Sequence, residues 1–315
     1  MTRAGCSAGR RRAISSVEVI EVGPRDGLQN EKVSVPTDVK VALCRSLVDA
    51  GVRRIETTSY VSPKWVPQMS DNVNVMDALK DIPSGVEVSV LTPNLKGLEN
   101  AKLSGRVDAV SVFGAASESF SQKNINCSIK ESISRFSAVA ETALGDGLKV
   151  RGYVSCIAAC PYEGPIDPKN VVKVWKLLKD LGCYEVSLGD TIGVATPNQI
   201  SKVIEALVAE GADVNELAGH YHDTCGTALT NVLRSLDLGL SKFDSSAAGL
   251  GGCPYAAGAS GNLATEDLVY LCDGLGIDTG IDFGKVVCAS EATLDVIGIG
   301  NRSKSAQAWH AKKQT

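Results

Sequence analysis

The sequence is poor in histidine and in aromatic side chains. Its 315 residues include three His, and Phe, Trp and Tyr together make up 5%. No apolar run approaches the roughly 18 residues that a membrane-spanning helix needs. Positive charge is not in excess either, because the formal net charge is −4. We therefore expect neither a membrane partner nor a nucleic-acid partner.

Acidic residues are missing from the start of the chain, where the first one is Glu18. The preceding stretch is rich in basic and hydroxyl side chains, namely Arg3, Arg10, Arg11, Arg12, Ser7, Ser15 and Ser16. Such a composition is typical of a mitochondrial transit peptide, and the alternative is a frayed N-terminal tail. We treat residues 1–16 as an N-terminal extension and expect a location in the mitochondrial matrix, with the cytoplasm as the alternative.

No secretory signal accompanies the ten cysteines. An even cysteine count in such a chain is weak support for disulfides. Cys44 lies in a helical pattern and Cys183 at a helix end, so both are expected to pack as small apolar side chains. Cys156 and Cys160 lack the C-x-x-C spacing of a redox pair, which leaves core packing or a thiol near a site.

What the sequence does contain is a regular alternation of strand and helix patterns. Short stretches rich in β-branched or aromatic residues recur eight times, at 17–22, 54–57, 86–91, 109–113, 149–154, 184–188, 217–222 and 242–244. Segments of helical period follow them, at 37–50, 71–79, 94–103, 128–143, 167–182, from 197 onward, 224–238 and 265–275.

Eight β–α units predict an α/β fold, a closed (β/α)₈ TIM barrel over residues 17–280. The alternative is an open doubly wound sheet. It is disfavoured because no glycine-rich phosphate loop follows the first predicted strand. Residues 281–315 are expected to add a C-terminal helical segment and a polar tail.

Two of the three histidines lie in one tripeptide, His220-Tyr221-His222, within the seventh predicted strand. Side chains at i and i+2 of a strand share a face, so the two imidazoles can hold one metal ion. The alternative is that two unrelated histidines happen to be neighbours. The carboxyl ends of barrel strands meet at one mouth, which also brings Asp26 and Asn262 there. This mixed nitrogen and oxygen donor set suits Mg²⁺ or Mn²⁺.

Other polar residues are predicted at the same mouth, and each has a simpler explanation. Arg25 can form an ordinary turn ion pair with Asp26, and Glu56 can be a strand-end carboxylate that faces solvent. A glycine-rich loop after the eighth strand carries Cys253. That thiol is a candidate acid, base or nucleophile, or an incidental cysteine in a tight turn.

Together these motifs resemble those of the 3-hydroxy-3-methylglutaryl-CoA (HMG-CoA) lyase family, which is related to isopropylmalate and homocitrate synthases. The similarity covers about 17–278 and includes GPRDGLQNE at 23–31 and SAAGLGGCPY at 246–255. It continues through 58–69, 112–118, 123–127, 151–156 and 187–193. The departures are Ala247, where the signature usually has Val, Cys225 near the expected metal, and the less similar stretch 287–299.

The resemblance implies a role for each matched residue. The metal ligands would be Asp26, His220, His222 and Asn262. Arg25 would neutralise negative charge on the thioester oxygen, and Cys253 would be the acid/base of the glycine-rich loop. The implied catalytic set is Cys253, Arg25, His220, Asp190 and Glu56. The implied substrate-binding set is Arg25, Gln29, Ser59 and Thr191.

The resemblance also implies the reaction, a retro-Claisen cleavage of HMG-CoA to acetyl-CoA and acetoacetate in ketogenesis and leucine degradation. A divalent cation, Mg²⁺ or Mn²⁺, is the implied cofactor. The expected partners are a small-molecule acyl-CoA substrate and a second copy of the chain in a homodimer. Lys123 and residues 301–304 are candidates for binding CoA phosphates, with solvated surface charge as the alternative.

Two other functions are open at this point. A Claisen-type synthase would share the barrel and the histidine pair, but it usually carries a regulatory C-terminal domain, for which this chain has no room. It would also lack the Gly-Leu-Gly-Gly-Cys-Pro loop. A catalytically silent barrel that binds CoA or metal is the second alternative, and the retained Arg25, Asp26, His220, His222 and Cys253 argue against it.

Overall fold

Eight parallel strands close into a barrel in the computed structural model, which describes residues 14–104, 106–252 and 261–313. The strands are β1 Glu18–Glu21, β2 Arg54–Ser59, β3 Glu87–Leu91, β4 Ala109–Ala115, β5 Lys149–Ser155, β6 Glu185–Asp190, β7 Leu217–Tyr221 and β8 Lys242–Ser245. Each strand pairs with its neighbour in the chain, and β8 pairs with β1 to close the ring. The predicted (β/α)₈ TIM barrel is therefore confirmed.

Helices surround the barrel and cover the outer face of its strands. They are α1 Thr37–Asp49, α2 Asn72–Ala78, α3 Leu95–Leu103, α4 Glu118–Ile125, α5 Ile129–Gly145, α6 Pro168–Asp180, α7 Pro197–Ala209, α8 Ala228–Asp237, α9 Thr265–Leu275, α10 Phe283–Ala289, α11 Glu291–Ile297 and α12 Lys304–Lys313. Because parallel strands are covered on both faces, they are buried almost throughout, as in β2, where all six residues are buried.

Helix boundaries follow local capping. Ser128 begins α5 with a capping box, in which its side chain accepts from the backbone of Glu131 and the Glu131 carboxylate accepts in return. The predicted helix at 224–238 begins later than expected, at Ala228. The Asp223 Oδ1 atom accepts from the Ala228 nitrogen at 2.9 Å, and Gly226 takes a left-handed φ of +68°, so the intervening residues form a turn.

The structure contains helices that the sequence pattern did not separate. α4 lies between β4 and α5, where one helix was expected. At the C-terminus three helices follow α9, of which α10 packs on α1 and α9, and α12 packs on α9. Within the described part of the chain, no helix combines the length and apolar character needed to cross a bilayer.

The interior of the barrel carries a chain of buried ion pairs. The Arg54 guanidinium contacts both carboxylate oxygens of Glu185 at 3.0 Å. Arg151 contacts Glu185 at 2.7 Å through Nε and Asp244 at 2.6 Å through Nη2. Asp244 lies 3.1 Å from the His220 Nδ1 atom. This chain of contacts links the interior of the barrel to the histidine at the mouth.

Candidate active site

Three ligand-type side chains converge where β1 and β7 end. The ligand atoms of Asp26, His220 and His222 all lie within 4.8 Å of one another. The two histidine Nε2 atoms are 3.3 Å apart, and the His220 Nε2 lies 3.9 Å from the Asp26 Oδ2. Tyr221 points the other way and shares a hydrogen bond with Ser235 of α8. Alternation along β7 therefore directs both imidazoles to one point.

These residues fit a divalent cation. Two imidazole nitrogens and one carboxylate oxygen form a donor set that leaves other positions open for substrate or water. The buried His222 Nδ1 has no hydrogen-bond partner among the residues that the structure describes. Both Nε2 atoms point toward each other and toward an acidic oxygen, an arrangement that a bound cation would stabilise.

Asn262 lies beside this cluster and completes the predicted ligand set. Its backbone forms an isolated bridge with His222, and its Nδ2 atom donates to Asp26 Oδ2 at 2.9 Å and to the Leu250 carbonyl at 3.2 Å. The amide nitrogen is engaged in these contacts, so the amide oxygen is the atom that would serve as a ligand. The structure thus brings together all four residues predicted to hold the metal.

Arg25 sits in a tight π-helical turn, Gly23–Gly27, directly after β1. The Val22 carbonyl accepts hydrogen bonds from the backbone nitrogens of Arg25, Asp26 and Gly27. Glycine is needed at position 27, because a Cβ there would lie 2.6 Å from the hydroxyl oxygen of Ser246. The turn aims two adjacent charged side chains into the mouth.

The Arg25 guanidinium bridges two carboxylates. It lies 2.5 Å from Asp26 Oδ1 and 2.5 Å from Glu56 Oε2, and it stacks over the Tyr153 ring. Burial opposes its charge, but Glu56 and Asp26 raise the Arg25 pKa above its ordinary value. Burial likewise opposes charge on Asp26, but Arg25 and the two histidines hold the Asp26 pKa well below its usual range. The solvent-facing alternative for Glu56 is excluded, because Glu56 is fully buried.

Asp190 ends β6, the strand that pairs with β7. Its carboxylate accepts from the backbone nitrogens of Ala195 at 2.9 Å and Val194 at 3.3 Å. Burial raises the pKa of Asp190 to about 6, against the lowering effect of these hydrogen bonds and of His220. A carboxyl group with a pKa near neutrality is suited to proton transfer.

Besides Arg25, the predicted substrate-binding side chains are those of Gln29, Ser59 and Thr191, and they differ in what they already contact. The buried Oε1 of Gln29 has no hydrogen-bond partner among the described residues. The Ser59 hydroxyl accepts from the Val61 nitrogen at 3.2 Å. The Thr191 hydroxyl accepts from the nitrogen of Cys156, a residue held at φ +60°. Ser59 and Thr191 therefore also stabilise the local backbone.

Cys253 lies outside the described residues, but the segments that flank it are held at the mouth. Asn30 donates to the Gly252 carbonyl at 3.0 Å. Arg302, from the C-terminal segment, donates to the carbonyls of Gly251 at 2.7 Å and Gly249 at 3.3 Å. Arg302 also contacts Glu31 at 3.4 Å. Arg302, one residue of the predicted phosphate-binding segment 301–304, thus binds the base of the glycine-rich loop. Lys123, the other candidate, is exposed on α4.

Two buried carboxyl groups that the sequence analysis did not single out hold the same loop base. Glu21 accepts from the nitrogens of Gly23 at 2.7 Å and Ala247 at 3.0 Å. Glu266 accepts from the Ala248 nitrogen at 2.9 Å and from Asn301 at 3.2 Å. Their burial could not be inferred from the sequence because their contacts join residues far apart in the chain.

The pH dependence of stability should report on these groups. Burial raises the pKa of Glu21 to about 7 and that of Glu266 to about 8, from 4.5. Their protonated forms therefore stabilise the fold fully below pH 4.5, and this contribution is lost as the pH rises toward 8. We compare the free energy of unfolding of Glu266→Gln with that of the wild type. As the pH rises from 5 to 9, we expect the difference to move in favour of Glu266→Gln by roughly 2–4 kcal/mol. Thermal melts across this range measure the difference, and a difference that does not change with pH would contradict the assignment.

A parallel (β/α)₈ barrel that gathers potential metal ligands and charged side chains at the carboxyl ends of its strands has the arrangement of a barrel enzyme. Comparison with known proteins agrees with this class. The HMGL-like family model matches residues 16–292. The chain therefore belongs to the HMGL-like family.

Two proteins of one mammal share about half of their residues with this chain. In Mus musculus, a cytoplasmic 3-hydroxy-3-methylglutaryl-CoA lyase is 52% identical over 93% of this chain and 84% of its own length. The mitochondrial hydroxymethylglutaryl-CoA lyase of the same species is 53% identical over 93% of this chain and 89% of its own.

Solved structures of lyases share the fold closely. The hydroxymethylglutaryl-CoA lyase of Pseudomonas aeruginosa superposes with a TM-score of 0.92 at 51% identity, covering 95% of this chain and 99% of that one. An HMG-CoA lyase from Acinetobacter baumannii, in complex with coenzyme A and 3-methylmalate, superposes with a TM-score of 0.87 at 34% identity. That superposition covers 93% of this chain and 95% of that one.

Proposed function

We propose that this protein catalyses the divalent-metal-dependent retro-Claisen cleavage of HMG-CoA to acetyl-CoA and acetoacetate. The observation that carries the proposal is the Arg25–Asp26 pair placed against His220 and His222 at the barrel mouth. This arrangement puts a fixed positive charge next to a metal-binding cluster. Relatives that share about half of its residues are named HMG-CoA lyases, which supports the same substrate.

The residues that would hold the cation are Asp26, His220, His222 and Asn262. Oxygen ligands beside the two imidazoles favour Mg²⁺ or Mn²⁺ over a closed zinc site. When bound, such an ion supplies Lewis-acid chemistry that acidifies the 3-hydroxyl of the substrate. The remaining chemistry is proton transfer and charge stabilisation, which the side chains of this chain provide.

We assign proton removal from the 3-hydroxyl to Asp190, because the other candidate, His220, directs its Nε2 to the proposed metal cluster and its Nδ1 to Asp244. Asp190 has a pKa of about 6, so it is largely ionised at neutral pH and can accept the proton. The electron pair of the O–H bond then forms the new C=O of acetoacetate, and the C2–C3 bond breaks. Its electrons pass to the thioester as the enolate of acetyl-CoA.

Arg25 is placed to stabilise the enolate oxygen, because its guanidinium is held at the mouth by Asp26 and Glu56. Fixed donors of this kind act where charge develops in the transition state. Cys253 would then protonate C2 of the enolate to give acetyl-CoA. Positioned proton transfer contributes about 10²–10⁴-fold in rate. Gln29, whose buried Oε1 has no hydrogen-bond partner among the described residues, would contact the acyl group.

Incubating the purified protein with HMG-CoA and either Mg²⁺ or Mn²⁺ tests the proposal, with acetoacetate followed over time. We expect acetoacetate to form when the metal is present and its formation to stop when a chelator removes the metal. Condensation of acetyl-CoA with a 2-oxo acid would instead support the synthase alternative. No turnover in either assay, together with retained CoA or metal binding, would support the silent barrel.

We further propose an acyl-CoA substrate bound at this mouth, a homodimer in solution and a mitochondrial location. A lyase that is 34% identical to this chain has been solved in complex with coenzyme A, which supports the acyl-CoA substrate.

The mitochondrial and cytoplasmic relatives make the N-terminal extension the segment to test for location. Fusing residues 1–16 to a fluorescent reporter tests the location, and light scattering on the purified protein gives the oligomeric state.

The role of Arg302 can be separated from CoA phosphate binding by the substrate used. Because its guanidinium contacts the carbonyls of Gly249 and Gly251, we expect Arg302→Ala to lower kcat by about tenfold, in line with about 1.4 kcal/mol for lost charged hydrogen bonds. The loss should be equal for HMG-CoA and for an HMG-pantetheine thioester that has no nucleotide phosphates. A rise in KM restricted to HMG-CoA would show that Arg302 binds phosphate instead.

A further inference from the structure

Asp244 of β8 is a buried carboxylate surrounded by donors from three neighbouring strands. Its Oδ1 accepts from Arg151 Nη2 at 2.6 Å, and its Oδ2 accepts from the Ser187 hydroxyl at 2.7 Å and from Arg151 Nη1 at 3.3 Å. The same Oδ2 lies 3.1 Å from His220 Nδ1. Asp244 is 2% exposed and sits behind the histidine, on the side away from Asp26 and His222.

This contact determines which nitrogen of His220 carries a proton. A carboxylate bound to a guanidinium and a hydroxyl acts as an acceptor, so His220 Nδ1 must be the donor. The proton on Nδ1 leaves a lone pair on Nε2 in the neutral ring. That atom is the one that faces His222 Nε2 at 3.3 Å and Asp26 Oδ2 at 3.9 Å. The tautomer set by Asp244 is therefore the one that can ligate a cation.

The other histidine of the pair has no such support. His222 Nδ1 is buried without a hydrogen-bond partner in the described part of the chain, so no side chain there fixes its tautomer. The difference between the two rings shows that a carboxylate behind the histidine is a feature of His220 in particular. Arg151 and Ser187 hold Asp244 from the interior, which keeps the carboxylate from turning away.

We propose that Asp244 is a positioning residue that fixes the Nδ1–H tautomer and the ring orientation of His220, and that Arg151 and Ser187 hold Asp244 for this task. The inference rests on the proposed metal site, because it assigns His220 Nε2 as a ligand. Outer carboxylates of this kind typically change metal affinity by about 10–100-fold when they are lost. Asp244 does not touch the reacting atoms and acts through His220.

Asp244→Asn tests the proposal, because the amide can present its oxygen to Arg151 and its NH₂ group to His220 Nδ1. That donor favours the opposite tautomer. Glu185→Gln is the matched control, since Glu185 binds the same Arg151 guanidinium at 2.7 Å without contacting His220. Ser187→Ala is a milder variant that removes one hydrogen bond to Asp244 and keeps the carboxylate, in case Asp244→Asn does not fold.

Two readouts that do not depend on turnover are used. The first is the ¹⁵N spectrum of histidine-labelled, metal-free protein, in which three histidines give three ring systems and His310 serves as the internal reference. The second is Mn²⁺ affinity by electron paramagnetic resonance. We expect the Nδ1–H form of His220 in the wild type and in Glu185→Gln, and the Nε2–H form in Asp244→Asn with an Mn²⁺ Kd about 10–100-fold higher. Ser187→Ala should shift both readouts in the same direction by less.

Two results would overturn the inference. One is a wild-type tautomer and Mn²⁺ Kd in Asp244→Asn, or in Ser187→Ala if that is the variant that folds. The other is an equal loss of affinity in Glu185→Gln, which would point to general loosening of the barrel. Failure of the wild type to bind Mn²⁺ would instead reject the proposed metal site. The ¹⁵N spectrum would still show whether Asp244 sets the tautomer of His220.

Discussion

Replacing Arg25 with methionine is expected to lower kcat by about 10²–10³-fold, the effect of losing a fixed donor to a developing oxyanion. Methionine keeps much of the side-chain volume but removes the charge. The effect should fall on kcat, because the enolate exists only along the reaction path. Steady-state kinetics of acetoacetate formation measure it.

The stability of this variant must be followed alongside its kinetics. Arg25 compensates the buried Glu56, and removing one partner of a buried pair costs roughly 3–5 kcal/mol. Arg45→Met is a suitable control, because Arg45 forms an exposed ion pair with Asp81 and should leave both kcat and melting temperature almost unchanged. Wild-type kcat in folded Arg25→Met protein would remove Arg25 from the mechanism.

The second large effect is expected from His222→Gln, which removes one of the two imidazole ligands. Losing a residue that hydrogen-bonds to a metal ligand lowers metal affinity by about 10–100-fold. Losing the ligand itself should therefore lower it by at least about 100-fold. Activity should fall together with Mn²⁺ affinity and recover in part when Mn²⁺ is raised. Isothermal titration of Mn²⁺ and the cleavage assay, run on the same protein sample, measure the two quantities.

His310→Gln is the control for this variant. His310 lies on α12, contacts Glu291 and is not part of the metal-binding cluster. It should bind Mn²⁺ and turn over substrate like the wild type. Activity lost from His222→Gln without any change in Mn²⁺ binding would mean that His222 takes part in proton transfer and does not ligate the ion.

The barrel and much of its mouth could be predicted from sequence patterns. The eight strands could be predicted because β-branched stretches recur between helical ones, and closure then followed from their number. The histidine pair was recognisable because strand geometry alone puts His220 and His222 on one face. Asp26 followed from its position directly after the first strand.

What the sequence could not indicate was the set of contacts created by closure of the barrel. Asp244 reaches His220 only because β7 and β8 are paired in a particular register, in which these two residues lie side by side. Arg302 was expected to bind phosphate or solvent, and it binds loop carbonyls because the C-terminal segment folds back over the mouth. Neither contact has a local signature, since each depends on elements that are far apart in the chain.

The chain of ion pairs inside the barrel, from Arg54 to Asp244, has a consequence for experiments that vary ionic strength. Dissolved salt screens exposed charges over a Debye length of about 8 Å at physiological concentration, but it reaches buried pairs much less. Added salt should therefore leave the support behind His220 intact. Salt inhibition of this protein would then report on the encounter between an anionic thioester and the mouth, and salt titration becomes a probe of substrate capture.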